Sequence, residues 1–330
     1  DGGPLGPAGG RLAARGPRFD QALSGHGYEW WYIDALSDDG QRGLTIIALL
    51  GSVFSPYYAW ARRRGDCNAE NFCALNVALY GQDRTAWAMT ERGCGQLQRS
   101  ADTLVIGPSR VEWDGATLTV HIDERGAPLP KRLRGIVRVH PRALTSQQTA
   151  LDPAGRHRWW PIAPEARVEV EMESPGLRWS GDGYLDSNSG DEPLEHGFRK
   201  WDWSRAKLRA SSAVLYDMTF LNGERRSLAL HFDGQGAAEP FAPPPRVPLK
   251  TSFWWRIPRA TQADPGHGAE VLETLEDTPF YARSKVRTTL LGEPVTAVHE
   301  SLSLTRFDTR WVQMLLPFRM PRIPLGRPQY

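Results

Sequence analysis

Period-two alternation of apolar and polar residues recurs along this chain and confines it to β structure. Across residues 117–123, Leu118, Val120 and Ile122 share one face of an extended strand while Thr119, His121 and Asp123 share the other. Residues 167–173 set Val168, Val170 and Met172 against Arg167, Glu169, Glu171 and Glu173, and residues 227–233 repeat the pattern with Leu228, Leu230 and Phe232. Hairpin-type dipeptides punctuate these runs at Asp39-Gly40, Asp114-Gly115, Asn222-Gly223 and Asp233-Gly234. Long segments of 3.6-residue period are scarce. The pattern predicts an all-β, antiparallel chain closed into barrels or sandwiches.

Length allows more than one such unit, since 330 residues can build a full core without disulfides or metal staples. The string Tyr-Glu-Trp-Trp-Tyr-Ile-Asp at residues 28–34 leads through a turn into the apolar run 43–50. Trp-Asp-Trp-Ser-Arg at 201–205 leads in the same way into the apolar run 213–221. Two aromatic-acidic strands, each followed by an apolar one, predict two copies of one β unit that divide near residues 195–200. The Pro-rich segment 239–248 reads as a long loop inside the second copy. Residues 1–22, rich in Gly, Pro, Ala and Arg without the apolar core of a signal peptide, read as a flexible tail. The longest apolar run, residues 44–50, is far short of the roughly 20 residues of a spanning helix, so no membrane crossing is expected.

Charge and motifs exclude several function classes. Lys+Arg (40) and Asp+Glu (38) nearly cancel to a formal charge of +2, and the arginines are scattered, so nucleic acid is not an expected partner. Cys67, Cys73 and Cys94 are odd in number and lack C-x-x-C spacing, which suits reduced thiols in a cytoplasm. No phosphate-binding loop, complete G-x-G-x-x-G, G-x-S-x-G or H-E-x-x-H is present. The eight histidines stand singly, with no pair at metal-ligand spacing, so no metal site is expected.

What remains is a concentration of indoles beside a His, a Tyr and a carboxylic acid. His157, Trp159 and Trp160 come first, then Tyr184 and Asp186 inside a Gly/Ser-rich string from 179 to 190, then Trp201 and Trp203. These residue types suit proton transfer against a flat apolar wall, hence acid/base chemistry on a large apolar substrate. By composition alone, Asp186 equally heads a turn-forming Asp-Ser-Asn-Ser-Gly, and Trp159 and Trp160 equally read as core aromatics.

His157-x-Trp159, the Trp-Ser-Gly-x-Gly-Tyr-x-Asp string ending at Asp186, Asn188-x-Gly190, Pro193-Leu-Glu195 and Trp201-Asp-Trp-Ser-Arg205 resemble the carotenoid 1,2-hydratase (hydroxyneurosporene synthase) family. So do Tyr28-x-Trp-Trp-Tyr-x-Asp34, Gly51-Ser-Val-Phe-Ser-Pro-Tyr-Tyr58 and Cys73-Ala-Leu-Asn-Val-Ala-Leu-Tyr80, and the resemblance covers residues 25 to 325. It implies two lipocalin-like antiparallel β-barrels in tandem, at 23–197 and 198–325. It further implies a hydro-lyase that adds water to the terminal C1,2 double bond of acyclic carotenoids such as lycopene and neurosporene, giving a tertiary alcohol. No organic cofactor and no metal are implied. The family motif places the catalytic residues at His157, Trp159, Tyr184 and Asp186.

On that footing Asp186 is expected as the general acid, kept protonated by burial among indoles. Trp159 is expected to face the developing cation, and His157 and Tyr184 to position the water and relay protons, with His157 the better base. Trp30, Trp31, Tyr57, Tyr58, Trp160, Trp201 and Trp203 are the candidate substrate contacts. A lipid-dissolved substrate implies peripheral contact with a bilayer, expected at the cytoplasmic side of the photosynthetic inner membrane. Residues 317–327, which interleave Phe318, Met320, Ile323 and Leu325 with Arg319, Arg322 and Arg327, suit an anionic surface. No obligate protein partner is expected. Two other classes fit the same residues: a lipocalin-like carrier that binds without converting, and a cyclase or isomerase that excludes water.

Overall fold

The computed structural model describes residues 16–65, 67–81 and 85–323. Its first half folds into β1 (Tyr28–Ser37), β2 (Arg42–Leu50), β3 (Cys73–Gly81), β4 (Ala86–Arg92), β5 (Leu97–Arg99), β6 (Thr103–Ile106), β7 (Ser109–Trp113), β8 (Leu118–Arg125), β9 (Arg132–Pro141), β10 (Thr149–Ala150), β11 (His157–Ser174) and β12 (Leu177–Gly190). The strands hydrogen-bond in the order β4-β3-β2-β1-β12-β11-β9-β8-β7-β6-β5, with β10 paired to β11. The sheet curls into a nearly closed barrel around a core that includes Trp31, Ile33, Leu44, Ile46, Val77, Val120, Val137 and Val168. Helix α1 (Pro56–Arg63), capped by the Ser55 side chain, bridges β2 and β3.

The second half, after α2 (Leu194–Gly197), supplies β13 (Phe198–Lys207), β14 (Ser211–Phe220), β15 (Arg225–Asp233), β16 (Ala238–Pro240), β17 (Arg246–Leu249), β18 (Arg259–Gln262), β19 (Glu270–Asp277), β20 (Tyr281–Leu290) and β21 (Glu293–Ser303). Seven of these form a sheet ordered β16-β15-β14-β13-β21-β20-β19, and β17 pairs with β18 in a separate hairpin. Helices α3 (Leu304–Phe307) and α4 (Arg310–Leu315) follow. In both halves the first strand pairs with the last, β1 with β12 and β13 with β21, so the two units share one connectivity. The alternating runs fall inside β8, β11 and β15, where polar positions stay more exposed than the apolar ones between them.

The two sheets meet through their outer faces. Trp30, Tyr32, Trp159 and Tyr184 of the first unit pack with Trp201, Trp203, Tyr216 and Met218 of the second in one buried cluster. Beside them lies an ionic group: Arg205 pairs with Asp34, Arg283 pairs with Glu300, and Arg283 also stands 3.3 Å from Asp34. The Tyr32 hydroxyl donates to Glu300 at 2.7 Å.

Both chain ends make contacts that their composition did not indicate. The first fifteen residues of the expected tail lie outside the described residues, but Phe19 is fully buried, its ring 4.8 Å from Trp31 and its backbone N–H bonded to Ala101. A large ring gains more in the first barrel's core than in water, so Phe19 anchors this stretch there while Arg18, Asp20, Gln21 and Ala22 stay exposed. At the other end, Met320 is buried, and Arg322 pairs with Glu91 and covers the Phe72 ring. That segment is pinned to the first barrel and leaves Phe318 as its most exposed ring; Leu325 and Arg327 lie outside the described residues.

Asp34 is fully buried between Arg205 and Arg283, whose side chains are 8% and 1% exposed. Removing its charge strands buried cations, so Asp34→Asn should cost about 3–5 kcal/mol in a urea unfolding titration. Asp20→Asn, which breaks an exposed pair with Arg18, should leave the midpoint unmoved.

Candidate active site

Strand parity decides which side chains face the inter-barrel layer. On β1, Tyr28, Trp30, Tyr32 and Asp34 project toward the second sheet, while Trp31 and Ile33 fill the first barrel. β12 runs antiparallel beside it, with Tyr32 opposite Asp186 and Asp34 opposite Tyr184. β11 adds His157 opposite Gly190 and Trp159 opposite Asn188. The Gly/Ser-rich string is therefore a strand and not a turn. Its glycines serve close approach: a Cβ on Gly183 would lie 2.2 Å from the Val168 side chain, and one on Gly181 would lie 1.9 Å from the Leu36 carbonyl oxygen.

Asp186 is 3% exposed. Its Oδ2 accepts from Trp159 Nε1 at 2.9 Å and from the Tyr184 hydroxyl at 2.8 Å, whereas its buried Oδ1 has no hydrogen-bond partner. An oxygen that accepts two bonds leaves the acid proton to the other oxygen. Burial pushes the carboxyl up to about 8; the two donated bonds pull against this, and the carboxylates of Glu300 and Asp34 add to the rise. Both nearby arginines are engaged by those two carboxylates. Burial therefore favours the neutral form of this carboxyl, and Oδ1 is the oxygen left free of donors.

Tyr184 is fully buried, and desolvation holds its phenol well above the usual range, so it acts as a donor. Its ring lies 5.4 Å from Trp203 and 6.2 Å from Tyr32. Trp159 meets Tyr216 edge-on at 5.2 Å, and Tyr216 in turn meets Trp201 at 6.0 Å. Trp203 Nε1 is buried without a partner.

His157 occupies the same face but not the same place. Four residues separate Gly190, its register partner, from Asp186, about 13 Å along the strand. Its Nδ1 lies 2.9 Å from the Tyr28 hydroxyl and its Nε2 lies 3.5 Å from Glu192. Nε2 makes no hydrogen bond at that distance, while Nδ1 shares one with the Tyr28 hydroxyl. Burial lowers its pKa, against the raising pull of Asp152 and Glu192, so the ring is neutral. Gly197 is obligatory here, because a Cβ would stand 2.6 Å from Nε2.

Among the aromatic candidates, Trp30, Trp201 and Trp203 share the layer with Asp186. Trp31 and Trp160 do not: Trp31 lies in the first barrel's core, and Trp160 packs on that core and donates its indole N–H to the Thr145 carbonyl at 2.8 Å. Tyr58 sits in a separate cluster with Phe72, its hydroxyl donating to Gly27 at 2.8 Å, and the half-buried Tyr57 leans on that cluster. Two site residues escaped the sequence reading. Asn188, two positions beyond Asp186 on the same face, has its amide Nδ2 3.4 Å from the Tyr216 hydroxyl. Tyr216 comes from the second barrel, and the signal for it was the period-two run Val214, Tyr216, Met218.

A cleft of about 480 Å³ opens between the barrels on the far side of the ionic group, lined by Leu36, Asp182, Arg205, Lys207, Glu273 and Lys285 among others. Charge lies on one side of Asp186 and aromatic rings on the other.

Fold and site together define a tandem lipocalin-like β-barrel protein with a buried acid at the junction of its two sheets. An AttH-like protein of Nitrosomonas europaea has this fold, with a TM-score of 0.61 at 15% identity over 92% of this chain and 100% of that one. Residues 46–327 match the model of the carotenoid hydratase CrtC family. The chain is 59% identical to an acyclic carotenoid 1,2-hydratase of Thiocapsa roseopersicina, over 98% of its own length and 80% of the relative's. It is 56% identical to one of Rubrivivax gelatinosus, over 93% and 76%. The chain belongs to the carotenoid hydratase family.

The elevated Asp186 pKa carries a stability consequence. Between the ordinary carboxyl pKa near 4 and about 8, the folded protein binds a proton that the unfolded chain has released, so stability falls as pH rises through that window. Asp186→Asn removes this loss. Its melting temperature relative to the parent should rise from pH 5 to pH 8, tracking at most about 1.4 kcal/mol per pH unit. A pH-independent difference would place the proton elsewhere.

Proposed function

We propose that this chain is an acyclic carotenoid 1,2-hydratase that needs no cofactor, with Asp186 as its general acid. The observation that carries the reading is the Asp186 carboxyl, bonded through Oδ2 only and buried with Oδ1 unpartnered. Such an acid is ready to protonate an alkene, a group with no hydrogen-bond acceptor of its own to compete for.

The reaction balances through this one residue. Oδ1 gives its proton to C2 of the terminal double bond, and the electron pair of that bond forms the new C–H bond, leaving a tertiary cation at C1. Water adds its oxygen to C1 and returns a proton to the Asp186 carboxylate, which restores the acid and leaves a tertiary alcohol. The Trp159 and Tyr184 donors to Oδ2 hold the carboxylate that exists only between these steps. A Trp159 ring beside the cation contributes ~2 kcal/mol, about thirtyfold in rate. The aromatic layer formed by Trp30, Trp201 and Trp203 accommodates the polyene, and water arrives from the charged side. His157, set apart with Tyr28 and Glu192, positions the end of the layer rather than relaying the proton. The substrate is taken from a bilayer, contacted peripherally at the cytoplasmic face of the inner membrane; no helix among the described residues is long and apolar enough to cross one.

Lycopene dispersed in detergent, incubated under nitrogen with a chelator in oxygen-18 water, should gain one labelled water per end by mass spectrometry. Turnover should fall about tenfold per pH unit above about 8, where the acid is lost, and Asp186→Asn should yield no product. Bound but unaltered lycopene would identify a carrier, and a product of unchanged mass a cyclase or isomerase.

A further inference from the structure

The largest exposed rings of the second half gather in one place. Phe253 and Trp254 are 74% and 77% exposed, and on α4 and the turn after it Trp311, Met314 and Phe318 are 50%, 68% and 71% exposed. The loop and the helix form one surface: Trp255 stacks on Trp311 with centroids 6.0 Å apart, and Arg306 of α3 donates to the Trp255 carbonyl at 2.6 Å. Nor is the loop frayed. The Trp254 N–H donates to Asp277 at 2.7 Å, Ser252 donates to the same carboxylate at 2.7 Å, and Arg256 takes a positive φ of 51°. A backbone clamped this firmly holds Phe253 and Trp254 edge to face in water, an arrangement that water disfavours and an apolar medium rewards.

Apart from the Asp277 carboxylate that clamps the loop, the charge around the rings is mostly positive. Within residues 250–256 and 304–319 the exposed charged side chains are Lys250, Arg256, Arg310 and Arg319 against Asp308 alone, and Asp308 is paired with Arg63 at 2.8 Å. Rings that enter an acyl boundary, rimmed by cations, match an anionic bilayer. The face also leads to the acid. Phe307, on the buried side of α3, lies 6.3 Å from Phe54, which lies 6.4 Å from Trp30, and Trp30 lies 6.3 Å from Trp201 in the layer beside Asp186.

We propose that the 253–255 loop and helix α4 form a docking face for an anionic lipid bilayer, from which an apolar chain enters the inter-barrel layer past Phe307 and Phe54. The route rests on the hydratase reading; the docking itself does not. Flotation with vesicles needs no substrate and separates the two. The protein should float with phosphatidylcholine vesicles that contain phosphatidylglycerol and remain behind with phosphatidylcholine alone. Phe253→Ser/Trp254→Ser should lower the floated fraction at least about tenfold, and Arg310→Glu/Arg319→Glu should abolish the preference for phosphatidylglycerol. Both should hydrate detergent-dispersed lycopene like the parent and lose turnover of vesicle-embedded lycopene. Variants that float like the parent overturn the proposal. So does a parent that ignores vesicles and instead dimerises through this face, with the ring variant monomeric. A protein that floats as expected but leaves lycopene unaltered in detergent retires the hydratase reading and keeps the docking face.

Discussion

Burial of the Asp186 carboxyl without a counter-cation is the constraint around which the inter-barrel layer is arranged. Desolvation alone makes ionisation costly, and a neighbouring guanidinium would cancel that effect. Two arginines do lie in the layer, but Arg205 is engaged by Asp34 and Arg283 by Glu300, so the group is balanced before it reaches the acid. Trp159 and Tyr184 supply hydrogen bonds, not charge, and place them on one oxygen. The carboxyl is therefore fixed in orientation while its other oxygen stays available.

This arrangement requires two barrels. Each sheet has an inner face that makes its own core, and the first sheet's outer face is equally apolar: nearly every residue of β1 is buried, on both sides. A single barrel would leave Trp30, Tyr32 and Tyr184 in water. Pairing the first and last strands in each unit puts β1 and β13 at the middle of their sheets, where the two outer faces meet. The layer between them grades from rings around Trp30 to charge around Asp34, and Asp186 sits at the transition.

The fold was legible wherever one face of a strand meets water, as in β8, β11 and β15, because period-two alternation survives there. It was less legible in β1, where both faces are buried: the residue types at Trp30 and Trp31 do not reveal which ring faces the acid. Trp159 and Trp160 pose the same problem, and parity assigns them to opposite sides. The string around Asp186 has turn composition but forms a strand, since Gly181 and Gly183 are required by the closeness of β1 and β11. Asp186, Tyr184 and Trp159 meet in one hydrogen-bonded group, while His157 stands further along the sheet. Tyr216 could not be attached to the site from sequence, because only the docking of a second barrel brings it there, and Phe19 lay hidden in a segment with a linker's composition.

The state of one proton decides the account, and infrared spectroscopy reads it directly. The carbonyl stretch of a protonated carboxylic acid, taken as the difference between the parent and Asp186→Asn, should be present at pH 7 and fade with a midpoint at about 8. A difference spectrum that shows only carboxylate at pH 7 would mean that Asp186 is ionised in the resting protein and cannot be the acid.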